Sequence, residues 1–270
     1  MIHENMEFHN VSELETINGL PGLRLQRFPY DVRNGLGHLE HERGRFYSQI
    51  SVGCEIRFVT DAKFIKIGLS SLEKEGVVYV YKGDLLHSVH SVPAGVITTL
   101  HLEEPLKLDD LEPSSFTGNG FSPRVWRFLF GKNTTVTFNY LDTFGHGCRP
   151  PMRSEGPKVT WLAYGSSITF GGDTNLYSNA YVQQAAKRLG WDILNKGIAG
   201  SCFCDKVIAE YLASIKSDVV TLELGVNMRG RFSPEEFEQR VRYLIKQLRA
   251  HDATKPIVVL GIFPNGASFA

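Results

Sequence analysis

Val159-Thr-Trp-Leu-Ala-Tyr-Gly-Ser-Ser-Ile-Thr-Phe-Gly-Gly172 decides how the rest of the chain is read. Its first six residues, Val159 to Tyr164, form an apolar run with the length and β-rich composition of a buried strand. The run stops at Gly165-Ser166-Ser167, and an amphipathic helix is expected about five residues further on. A serine on the turn leaving a parallel strand lies at the carboxyl edge of the sheet, where open α/β folds bind ligands. Thr169 stands where a Gly-x-Ser-x-Gly elbow needs its second glycine, so that elbow is excluded. A serine here also commonly does no more than cap the following helix.

Downstream, strands and helices alternate. A helix expected over Tyr177 to Leu189 carries Tyr177, Tyr181, Val182, Ala185, Ala186 and Leu189 as one apolar stripe. A short strand, Asp192 to Leu194, leads into Asn195-Lys-Gly-Ile-Ala-Gly-Ser201. A second helix presents Val207, Ile208, Tyr211, Leu212 and Ile215. The next strand, Val219 to Leu224, runs into Gly225-Val-Asn227. Ser233-Pro-Glu-Glu236 announces a third helix, with serine as N-cap and proline at its first position. Pro256 to Phe263 reads as a fourth strand. This alternation predicts a doubly wound parallel sheet.

Three short blocks at strand ends carry a family resemblance. Gly165-Ser166-Ser167-Ile168-Thr169 resembles the Gly-Asp-Ser-Leu block of the SGNH (GDSL) hydrolases, with Ser166 in place of the aspartate. The turns at Gly200 and Asn227 match the family's second and third blocks in order. The resemblance implies an SGNH-hydrolase-like, flavodoxin-like α/β fold with Ser167 as nucleophile. It implies oxyanion donors at Gly200 and Asn227, and no cofactor. Implied too is a serine esterase acting on small acyl esters, acetyl groups on carbohydrates among them. An acyltransferase of the same fold is the alternative. The family's Asp-x-x-His block is absent from the 270 residues, which leaves a catalytically silent or C-terminally incomplete carbohydrate-binding protein as a further reading. On this reading the chain turns over activated esters weakly. The fourth strand would be left as a bare apolar edge, open to a second copy of the chain.

The first 150 residues read differently. Ile50, Val52, Cys54, Ile56 and Phe58 alternate as one strand face, and Ile65, Ile67 and Leu69 as another. Strands are expected at Val78 to Tyr81, closed by Lys82-Gly83-Asp84, and at Val96 to Leu102. Trp126, Phe128 and Phe130 are expected to face Val136, Phe138 and Tyr140 in a hairpin across residues 131–134. No helical period is visible. The expectation is an all-β sandwich or jelly roll over 1–150, a linker at Cys148 to Pro157, and the hydrolase domain over 157–270. The sandwich either binds or shapes a carbohydrate, with Trp126 and tyrosines stacking on sugars, or only covers the hydrolase.

Composition narrows the classes. Lys plus Arg and Asp plus Glu both total 29, so charge balance points to neither nucleic acid nor an anionic membrane surface. No signal peptide or apolar span is visible, and four cysteines are too few for a disulfide scaffold. A cytoplasmic protein is the expectation. His87 and His90, three apart on a strand, should point to opposite faces and share no metal. Cys202 and Cys204 read as small buried residues. Serine needs a base, and of the histidines His146 reaches the site only if the sandwich packs over it, while His251 lies at the far end of the sheet.

Overall fold

The computed structural model describes residues 1–37, 42–106, 120–172 and 174–263. Two antiparallel sheets face each other in the first 150 residues. One orders Ile2–His3, Met6–His9, Glu55–Thr60, Val125–Phe130, Gly76–Lys82 and Leu85–Val92, with Cys148–Arg149 also pairing Glu55–Thr60. The other orders Glu13–Thr16, Leu23–Gln26, Val136–Asp142, Phe64–Ser71 and Thr98–Glu103. Between them lies a core that includes Ile56, Phe58, Ile67, Trp126, Phe128 and Phe138. Period-two alternation sends the intervening residues outward, yet the outer face of the first sheet is not exposed. Tyr79 and Leu129 there are buried in a second cluster with Trp161, Phe170 and Tyr177 from beyond the linker.

The parallel sheet orders Trp191–Asn195, Val159–Tyr164, Val219–Glu223 and Ile257–Leu260. Val159–Tyr164 is covered on both sides: Trp161 and Ala163 join the cluster shared with the sandwich, Leu162 and Tyr164 the cluster on the opposite face. That double burial is why the strand reads as an unbroken apolar run. Helices Lys206–Ser214 and Pro234–His251 cover the second face, the latter capped by Ser233 Oγ, which accepts from Glu236 N–H at 3.2 Å. At the outer edge, Val258, Val259, Ile262 and Phe263 are half-exposed.

Several expectations are corrected. Val125–Phe130 and Val136–Asp142 form no hairpin. They belong to different sheets, and residues 131–134 carry the chain across the core, so the same aromatic faces meet sheet to sheet. A bulge after Phe138 turns Tyr140 outward, with its ring over Gly68. Ile50 and Val52 precede the strand and pack in the cluster shared with the parallel sheet. Among the described residues of this half are two helices, Tyr30–Gly35 and Arg43–Ser48, each too short to print a period. Phe28, Val32 and Leu36 pack against Leu162, Ile208 and Leu212. The expected helix at 177–189 is divided into a 3₁₀ turn, Tyr177–Asn179, and a helix, Tyr181–Leu189, and Leu189 is exposed. Trp126 is fully buried and cannot stack on a sugar. His87 and His90 both reach Ser88 Oγ, at 2.7 and 2.8 Å, because a register shift opposite Val80 and Tyr81 cancels the expected opposition.

Candidate active site

The first turn forms because Tyr164 ends a buried strand and Gly165 admits close neighbours. A Cβ on Gly165 would lie 2.2 Å from Thr169 Oγ1 and 2.7 Å from Glu223 Oε2. Ser166 then caps a one-turn helix, Ser167–Phe170, its Oγ accepting from Ile168 N–H at 3.2 Å. Ser166 N–H and Oγ–H donate to Glu223 Oε2 at 2.7 and 2.6 Å, and Thr169 Oγ1 donates to the same oxygen at 3.2 Å. Ser166 is thus the buried brace and Ser167 the half-buried neighbour. The helix begins at Ser167 itself, earlier than expected. Ser167 Oγ and N–H have no hydrogen-bond partner among the described residues.

The second turn leaves the neighbouring strand at Asn195, whose buried Nδ2 donates to Thr169 O and Tyr177 Oη, both at 2.8 Å. Gly197 passes so close to the short helix that a Cβ would lie 2.4 Å from Phe170 N. Ile198 N–H donates to Gly165 O at 2.8 Å, tying the second turn to the first. Gly200 takes φ +71°, a left-handed conformation that favours glycine. Its N–H has no partner among the described residues.

The third turn adds Asn227. Its Oδ1 accepts from Cys202 N–H at 3.1 Å, which orients the amide and leaves Nδ2 unbonded among the described residues. Cys202 Sγ–H donates to Glu223 O at 3.6 Å. Glu223 therefore joins all three turns: its carboxylate holds the first, its carbonyl the second, and its strand leads to the third. Burial pushes the Cys202 thiol well above its ordinary value and the Cys204 thiol up to about 12, so neither is a ready nucleophile.

Beneath the second turn lie two fully buried cations. Arg27 donates to the carbonyls of Ile50, Tyr47, Asn195 and Gly197, and Lys196 Nζ to those of Asn10 and Arg27. Burial lowers Lys196 to about 7 and Arg27 to about 10. A loop carrying Asn195 and Gly200 is thus anchored to the amino-terminal half by charge held on neutral carbonyls.

The structure brings Ser167, Gly200 and Asn227 to one edge of the sheet, as three adjoining turns. It does not bring His146 there. That residue is exposed on the turn before Cys148, which pairs with Thr60 at one end of its strand. The sandwich touches the first turn from the opposite end, where Lys132 follows Phe130 and its Nζ donates to Gly172 O at 2.5 Å. His251 ends the last helix, away from the site. Among the described residues, no cluster of three or more His, Cys, Asp or Glu is arranged to hold a metal. No helix among them is long and apolar enough to cross a membrane. A cleft of about 590 Å³ lies between the sandwich and helix Tyr181–Leu189, and none of Ser167, Gly200 and Asn227 lines it.

Sequence reasoning missed Glu223, Asn195 and the two cations. Glu223 had a signal, being a carboxylate inside an otherwise apolar strand. Arg27 and Lys196 had none, because their partners are carbonyls as far as 170 positions away.

Residues 163–270 match the GDSL-like Lipase/Acylhydrolase family. No curated protein matches the chain. Among solved structures, the salicylyl-acyltransferase SsfX3 of a tetracycline biosynthetic pathway is similar over 94% of this chain and 69% of its own, with 14% identity and a TM-score of 0.74. A GDSL-like lipase structure from Bacteroides ovatus is 19% identical over 87% of this chain and 67% of its own, with a TM-score of 0.61. A family two carbohydrate esterase from Clostridium thermocellum, in complex with cellohexaose, is 15% identical over 81% and 74%, with a TM-score of 0.54. At these identities the likeness establishes the fold.

Proposed function

We propose that this chain, with a GDSL-like lipase/acylhydrolase domain at residues 163–270, cleaves small acyl esters through Ser167. The observation that carries the reading is the stitching of three turns around Glu223, with the N–H groups of Ser167 and Gly200 and the Asn227 amide unbonded among the described residues. Ser167 Oγ attacks the ester carbonyl carbon, and the carbonyl electrons move onto oxygen. The three donors meet that developing charge. The alkoxide leaves with a proton, an acyl-serine remains, and water attack releases the acid and restores the serine.

The proton of Ser167 needs an acceptor, and no described histidine or carboxylate hydrogen-bonds its Oγ. The alcohol side is proposed to be a carbohydrate. The shared fold of an esterase solved in complex with cellohexaose and the sandwich seated against the sheet support it.

The test is covalent labelling with an alkyl phosphonate p-nitrophenyl ester, located by peptide mass spectrometry, alongside p-nitrophenyl acetate turnover. The adduct is expected on Ser167 and is lost in Ser167→Ala. An adduct that persists in Ser167→Ala, or one found only on another serine, overturns the assignment. Ser166→Ala retains labelling with slower onset, since it loosens the turn without removing the nucleophile.

A further inference from the structure

Helix Arg43–Ser48 comes from the amino-terminal half, yet its first turn is seated on the second active-site turn. A Cβ on Gly44 would lie 3.4 Å from Ser201 Cβ, which puts the helix backbone within a side chain's reach of that turn. The same construction on Gly200 lies 3.3 Å from Arg43 Cδ and 3.4 Å from its Nη1. Arg43 therefore spreads over the glycine whose N–H is proposed to bind the oxyanion. The residue is exposed, and its guanidinium has no hydrogen-bond or ion-pair partner among the described residues. Elsewhere arginines at this interface are engaged: Arg27 on four carbonyls, and Arg57 and Arg127 on carboxylates.

The other turns carry cations too. Lys132 Nζ sits on Gly172 O, and Gly172 N–H donates to Ser167 O at 2.9 Å. Arg229, two positions after Asn227, is exposed. Against these stands Glu42, exposed at the start of the Arg43 helix. Each of the three turns thus has a cation beside it, and among the described residues only Arg43 lies directly over a proposed oxyanion donor with all its guanidinium donors unspent.

We infer that Arg43 is a specificity residue that selects esters bearing a carboxylate. This rests on the ester-hydrolase reading for the reaction, but not for the binding. A guanidinium presents a planar fork that matches a carboxylate bidentately, and such a charge-assisted pair discriminates against a neutral isostere. The carboxylate could sit on the acyl side or on the alcohol side, and paired substrates separate the two. On the acyl side the pair is p-nitrophenyl hydrogen adipate against p-nitrophenyl hexanoate. On the alcohol side it is 4-acetoxybenzoate against 4-acetoxybenzamide.

For at least one pair, the wild-type chain is expected to prefer the anion by about tenfold in kcat/KM, expressed mainly in KM. Arg43→Gln should bring that ratio close to one, and Arg43→Lys should restore part of it. Calorimetric binding of 4-hydroxybenzoate and adipate monoamide, each against its neutral amide, gives the same comparison without turnover. No anion preference in the wild type in either measurement, or a preference that Arg43→Gln leaves intact, overturns the inference. If Ser167→Ala keeps ester turnover while Arg43-dependent anion binding persists, the hydrolase reading falls and the anion site stands.

Discussion

Two carboxylates, each wholly buried at the end of a strand, are held in opposite ways. Glu55 in the sandwich lies between Arg57 and Arg127, at 2.7 and 2.8 Å. Arg57 in turn forks onto Asp192 of the parallel sheet at 2.7 and 2.8 Å. Burial raises the Glu55 carboxyl, but the two arginines outweigh it and hold the group well below the usual carboxylate range. Among the described residues, no cation pairs with Glu223. One oxygen accepts from Ser166 and Thr169, and the other, Oε1, is buried without a partner. The first arrangement welds two layers together by charge. The second spends its carboxylate on neutral donors of a single turn, fixing the backbone around Ser167 and placing no guanidinium beside the serine. Glu55 is thus held by opposite charge and Glu223 by neutral hydrogen bonds.

The largest effect should come from unpairing the weld. Arg57→Met takes the bidentate partner from Asp192 and one of two arginines from Glu55 at a largely buried interface, a loss of about 3–5 kcal/mol of unfolding free energy. Chemical denaturation should report it, and a loss under about 1 kcal/mol would mean that water reaches the network. The site should answer differently. Asn227→Ala is expected to lower ester kcat by about 10²–10³ with little change in KM. Unchanged turnover with lowered stability would make Asn227 only a clamp for Cys202. Glu223→Gln should cost about 1.5–3 kcal/mol in the same denaturation measurement, because the oxygen it weakens accepts three hydrogen bonds. Its kcat should fall at temperatures where the variant is still folded. A variant that loses stability but keeps full kcat would remove Glu223 from the positioning of Ser167.

The smallest effect tests the buried cation. Lys196 drops from an ordinary 10.5 to about 7 in the folded chain, through burial first and then Arg27. Below pH 7 both folded and unfolded chains carry the proton, and the folded state bears the full cost of the buried charge. Between 7 and 10.5 the unfolded chain binds the proton and the folded chain does not, so Lys196 makes stability rise with pH. The denaturation midpoint should climb from pH 7 to 9, and Lys196→Met should flatten that climb. An identical slope in both proteins would mean that the ammonium stays charged on its carbonyls.

Much of this was legible along the chain. Val159–Tyr164 is the strand its apolar run announced, residue for residue, and Ser233 caps the last helix as its Pro-Glu-Glu sequel implied. The turns at Ser167, Gly200 and Asn227 follow parallel strands in the order read. These features depend on neighbours a few positions away: a strand's alternation, a cap's third residue, a glycine at positive φ. What sits opposite a strand is another matter. The aromatic faces of 125–130 and 136–142 look alike whether they meet within one sheet or across a core, and only the second sheet decided the case. The outward face of the sandwich became an interior because the parallel sheet covers it. Glu223, Arg27 and Arg43 acquired their roles from partners 20 to 170 positions away, a distance at which local sequence pattern carries no information and packing alone determines which groups meet.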